Sequence, residues 1–150
     1  MNRLSRVWRA VLGLSWPERR VLAGAWLLLP CVAIGLRLPG FARSQVALRP
    51  AKDTPKSRTD LREAESLARL VDAAARWNPV PATCLVRSMV LCRLLRRRGL
   101  AADLRIGVDN PDGGLSAHAW VEHGGVALAA AGRSRRDYTA FDESVIPGGV

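Results

Sequence analysis

A chain of 150 residues can bury a core of its own and suits one domain with an appendage. Its three cysteines and two histidines lie apart, with no CxxC or HxxxH spacing, which excludes a recognisable zinc site. The net charge of +10 is uneven: residues 1–50 hold eight arginines against one acid, net +7, whereas residues 51–150 hold fifteen basic and twelve acidic side chains, net +3. Those arginines are interspersed with aliphatics, without a nucleic-acid motif or an aromatic stacking ladder, so nucleic acid is not an expected partner. A partner protein or a membrane surface fits a basic, apolar segment better. An odd cysteine count without a framework suits a reducing compartment, and a cytoplasmic protein is expected, with membrane association through the first 50 residues as a further expectation.

Leu4, Val7, Trp8, Val11 and Leu12 trace one face of a short basic amphipathic helix. Ser15-Trp16-Pro17-Glu18 is a capping box with proline inside the first turn, so a new helix is predicted to begin there. It leads into residues 21–36, an uncharged run bracketed by Arg20 and Arg37. That run is shorter than the ~20 residues a membrane span requires, and Pro30 interrupts it. It also starts late for a signal sequence and lacks a small-residue cleavage site. A buried helix, or one that docks on a partner, is the better reading. Pro39-Gly40 breaks the pattern, and residues 49–59, rich in Pro, Lys and Arg, form the linker. The division expected is a basic helical extension over 1–50 and a core domain over 51–150. Asp60 with Glu63 can cap the next helix, whose apolar face is Leu61, Ala64, Leu67, Ala68 and Val71, ending near Trp77-Asn78-Pro79. Trp77 reads as a core residue.

The most informative stretch is residues 84–122. Leu85, Met89, Cys92 and Leu95 form an apolar stripe at helical spacing, late arginines suit a helix C-terminus, and Gly99 ends the helix. Pro79 and Pro81 prevent a start much before Ala82, so Cys84 falls in or next to the first turn. There the unpaired N–H groups favour a thiolate. Cys92, two turns on, lies on the apolar stripe and gets no such help. Alternation over residues 101–108, turn chemistry from Asp109 to Gly114, and a second alternating segment with Ser116, His118, Trp120 and Glu122 on one face predict a hairpin. His123-Gly124-Gly125 permits a reversal into a third strand, with His123 exposed in the turn. Residues 138–141 form a last strand or docking segment. The fold class is α+β, and His118 stands over the helix start if the sheet packs on the helix. No repeat, P-loop or dinucleotide-binding glycine pattern is present.

A thiol at a helix start and a histidine from a separate strand are the layout of a nucleophile and its base. The Cys84 backbone N–H is the natural oxyanion donor, and Asn78, six residues upstream, is a further candidate. Asp137, late enough to return beside the strand, is the favoured group to orient the histidine; Asp142 and Glu122 remain alternatives. No cofactor or metal is called for.

The motifs CLVRSMVLCRLLRRRGL, LRIGV and AHAWVE followed by a glycine turn resemble the stand-alone leader peptidases (B2 proteins) of lasso peptide biosynthesis. The arginine- and leucine-rich lead-in is similar to theirs as well, so the resemblance spans most of the chain. It implies a transglutaminase-like, papain-like cysteine protease core in which a helix bearing the nucleophile packs on an antiparallel sheet behind an N-terminal helical extension. It puts the nucleophile on Cys84 and the histidine on His118. The family's aspartate would fall near Arg133, which is not acidic, so either a shortened loop gives the role to Asp137 or the enzyme depends on Cys84 and His118. The implied reaction is removal of the leader from a ribosomally made precursor peptide before macrolactam formation. The implied partners are that precursor, a separate leader-recognition B1 protein and an ATP-dependent, asparagine-synthetase-like cyclase, with residues 1–50 as the docking segment. A transglutaminase-like acyltransferase and a non-catalytic peptide-binding scaffold are the competing classes.

Overall fold

A computed structural model gives the fold of residues 13–38, 58–109, 116–128 and 139–140. Helix α1 spans Trp16–Gly35, α2 Arg58–Arg76 and α3 Cys84–Arg97. They are followed by strands β1 (Asp103–Asp109), β2 (Ser116–His123), β3 (Val126–Leu128) and β4 (Thr139–Ala140). The strands form one antiparallel sheet in the order β3-β2-β1-β4. The expected amphipathic segment before Gly13, the boundary at residue 50, the turn after Asp109, Arg133, Asp137, Asp142 and the C-terminal tail lie outside the described residues.

Helix α1 begins as its sequence demands. The Glu18 carboxylate accepts from the Ser15 backbone N–H at 2.8 Å and from the Ser15 hydroxyl at 2.7 Å, with proline in the first turn. The Ser15 hydroxyl, then the Ser15 N–H, hold the Glu18 carboxyl below its usual value. Helix α2 is already formed at Arg58, inside the stretch that reads as linker. Asp60 therefore stands in the first turn instead of at the cap, where its charge still meets the positive end of the helix. Helix α3 starts at Cys84 behind Thr83, whose hydroxyl accepts from the Val86 N–H at 3.3 Å. It stops where Gly99 takes φ +74°, with the Leu100 N–H returning to the Leu95 carbonyl at 3.0 Å.

The core lies between the three helices and one face of the sheet. Ala25, Leu29 and Val32 of α1 join Ala64, Leu67 and Val71 of α2, Val86, Val90 and Leu95 of α3, and Val121 and Leu128 of the sheet. Each fully buried aliphatic of this kind contributes about 1.5–3 kcal/mol. Helix α1, although within the segment set apart by its charge, thus shares the core of the other two helices. Its other side is apolar and open: Trp16, Leu27, Ile34 and, just past its end, Leu38 are exposed. Among the described residues no helix is long and apolar enough to cross a membrane.

Trp77 and His123 also depart from what the sequence predicts. Trp77 is 50% exposed and contributes through its backbone, its carbonyl accepting from the Trp26 indole N–H at 3.3 Å. A tryptophan that ends a helix beside Asn-Pro is set by the turn and not by its size. His123 is buried, 6% exposed, with Nδ1 2.6 Å from the Ala101 carbonyl. Since a carbonyl only accepts, Nδ1 carries the proton. The glycines of the turn take φ +56° and +79°, so the reversal itself is as expected.

Candidate active site

Two anchors fix the run of α3 along the sheet. The Ser88 hydroxyl donates to the Ala119 carbonyl at 3.0 Å, buried from water. Further along the helix, the Cys92 thiol at 3.6 Å and Arg96 Nη2 at 2.9 Å converge on the carbonyl of Ala102, just ahead of Asp103, which pairs with Glu122. The helix therefore advances in the same direction as β2. Cys84 precedes Ser88 by four residues, about 6 Å of helix, which equals about two residues of strand. Counted back along β2 from Ala119, that rise falls at about Ala117.

The face of β2 that carries His118 also carries Trp120 and Glu122, as alternation requires. The His118 and Trp120 rings stack with centroids 6.3 Å apart and planes 19° from parallel. Trp120 is held in turn: its indole N–H donates to Glu122 Oε1 at 3.1 Å, and Arg105 Nε donates to Oε2 at 3.4 Å. Glu122 is buried and accepts from both donors, which offsets the cost of burying a carboxylate. Gly107 is the cross-strand partner of His118 and puts no side chain beside the imidazole. Ala140 pairs with Gly107 in the same row, so the described part of β4 falls between Asp137 and Asp142 in sequence.

The sheet meets the helices through the opposite face, that of Val121 and Leu128. His118 does not stand over α3 by facing the core. β3 pairs only with Val121 to His123 and, among the described residues, no strand flanks β2 on that side before Val121. Ser88 occupies that stretch of edge through the Ala119 carbonyl.

The start of α3 is tied on its other sides too. Arg87 donates to the Ala82 carbonyl at 3.2 Å and lies 3.8 Å from Asp72 of α2. Asn78 Nδ2 donates to the Trp26 carbonyl of α1 at 2.8 Å, while Asn78 Oδ1 accepts from the Val80 N–H at 3.0 Å. Both ends of that amide are thus engaged in structure. Cys84 is half-buried and Cys31 exposed, whereas Cys92 is buried. Burial pushes the Cys92 thiol up, Arg96 opposing and Asp103 adding to the shift. Among the described residues no cluster of His, Cys, Asp and Glu could hold a metal ion.

Sequence reasoning missed Thr83, Ser88 and the Arg105–Glu122–Trp120 network. Thr83 was visible as a capping residue just before the helix. Ser88 carried no local signal, since its partner is 31 residues away.

Residues 25–142 match the Transglutaminase-like superfamily, and with most of its length matched the chain belongs to that superfamily. The α+β architecture, helices against a small antiparallel sheet, agrees with it. Its members usually include cysteine-dependent enzymes of the protease or acyltransferase kind. No curated protein and no solved structure matches the chain.

Proposed function

We propose that this protein is a cysteine peptidase that cuts the leader from a ribosomally made lasso peptide precursor, with Cys84 as nucleophile and His118 as its base. The observation that carries the reading is the Ser88–Ala119 hydrogen bond. It ties the helix that begins with Cys84 to the strand residue next to His118, in a member of a superfamily that usually includes cysteine-dependent enzymes.

In the proposed reaction His118 takes the Cys84 proton and the sulfur attacks the carbonyl carbon of the scissile peptide bond. The Cys84 backbone N–H, at the start of α3 with no intrahelical acceptor, donates to the oxyanion. Collapse breaks the C–N bond; His118 gives its proton to the leaving amine, and a thioester remains on Cys84. Water, deprotonated by His118, attacks the thioester, releasing the leader carboxylate and returning the thiol. The Trp120 stack, locked by Glu122 and Arg105, restricts the imidazole to one orientation. Asp137 is proposed as the carboxylate that pairs with the histidine.

A separate leader-recognition protein and an ATP-dependent cyclase are the proposed partners. The exposed apolar side of α1 is the proposed docking surface for one of them, since an exposed row of Trp16, Leu27, Ile34 and Leu38 is unusual on a lone domain. The test is mass spectrometry of the precursor incubated with the recognition partner and either the wild type or Cys84→Ala. One cut at the leader–core junction, absent with the variant, supports the reading. Cutting that persists in the variant contradicts it. A product joined to an amine in place of water would identify an acyltransferase, because both acceptors attack the same thioester.

A further inference from the structure

We infer that Asn78 is a positioning residue for Cys84, holding the approach to α3 against the one backbone carbonyl that Pro30 leaves open in α1. Proline has no N–H, so Pro30 inside α1 cannot donate to the carbonyl four residues before it, that of Trp26. A helix carbonyl deprived of its intrahelical donor is open to another, from water or from a side chain. Asn78 Nδ2 supplies it at 2.8 Å across 52 residues of sequence. The same tryptophan returns the contact, its indole N–H donating to the Trp77 carbonyl at 3.3 Å. Asn78 Oδ1 meanwhile accepts from the Val80 N–H at 3.0 Å, closing a turn.

The chain from that turn to the nucleophile is short and stiff. Five residues separate Asn78 from Cys84, and two of them, Pro79 and Pro81, have fixed φ. Arg87 grips the far end at the Ala82 carbonyl, and Thr83 caps the helix. A displacement at Asn78 thus passes to the first turn of α3 and is not absorbed on the way. Helix α1, whose apolar outer side is the proposed docking surface, is joined to the site by this tie.

The inference rests on reading Cys84 as the nucleophile, and its test does not need a peptide substrate. Site-resolved mass spectrometry of iodoacetamide alkylation follows Cys84, with the exposed Cys31 as internal reference, beside the melting temperature. Alkylation forms no tetrahedral oxyanion, so a role for Asn78 as oxyanion donor would not change it. Asn78→Ala is expected to lower the melting temperature and slow Cys84 at least about tenfold, Cys31 unchanged. Adding Pro30→Ala gives the Trp26 carbonyl an N–H within α1 without retethering the turn. In that double variant the melting temperature should recover while Cys84 stays slow; Pro30→Ala alone should leave Cys84 at its normal rate. Wild-type alkylation in Asn78→Ala, or recovery of Cys84 together with the melting temperature in the double variant, overturns the inference. Should the single variant fail to fold, the double variant still decides.

Discussion

Removing the Ser88 hydroxyl deprives the Ala119 carbonyl of its side-chain donor in a site closed to water. An unmade buried hydrogen bond costs about 1–3 kcal/mol, so Ser88→Ala should lower the urea midpoint by a corresponding amount. Because the same bond sets the start of α3 against β2, turnover should fall further than the stability loss explains; an unchanged rate per folded molecule would separate the bond from the site. Cys92 makes a different prediction. Burial favours its neutral thiol, so the folded value is raised above the unfolded one. Its contribution to stability is present below the ordinary thiol value and is lost as pH rises, since the unfolded chain releases the proton more readily. Cys92→Ala should therefore flatten the decline of stability above about pH 8.5, seen in denaturant midpoints. At this scale the sequence was a fair guide to Cys84 and Cys92, whose places follow from helical spacing. It was a poor one to His123 and Asn78, whose partners, Ala101 and Trp26, are brought near only by the fold.

Helix α1 is two-sided in a way its composition conceals. Residues 21–36 are apolar all round, so no periodicity tells which side is buried; packing against α2 and α3 selects Ala25, Leu29, Val32 and Gly35. The opposite row is free to take charge. Leu27→Glu with Ile34→Glu should change stability by about 0.5 kcal/mol or less per site, as exposed substitutions do, while raising solubility. If the proposed docking holds, the same pair should abolish capture by the proposed recognition partner or cyclase in a pull-down. A pair that unfolds the protein would show this row to be core, and a pair that leaves every binding intact would remove it as a docking surface. The limits of α1 and α3 were readable because caps are local chemistry: Ser15 with Glu18, and Gly99 at positive φ. The hairpin was readable from alternation, but not which face would meet the helices. Apolar Ala117, Ala119 and Val121 oppose a face whose Trp120 and Glu122 are buried as well. Burial on both faces removes the usual contrast between a wet and a dry side.

For the whole molecule, superfamily membership and the direction of α3 along β2 bear on the same point. On the proposed reading, the Cys84 thiol at the start of α3 and the His118 imidazole of β2 form a site for acyl transfer through a thioester. The superfamily leaves the acceptor open between water and an amine, and the proposed leader-peptidase reading takes it to be water. The central claim is the coupling of Cys84 to His118. The most direct measurement of it is the rate at which each cysteine of the native protein reacts with iodoacetamide, read by site-resolved mass spectrometry in the wild type and in His118→Ala. The pair predicts that Cys84, although half-buried, outpaces the exposed Cys31, and that losing the imidazole slows Cys84 alone by at least about tenfold. Equal rates at the two cysteines, with Cys84 indifferent to His118, would contradict it.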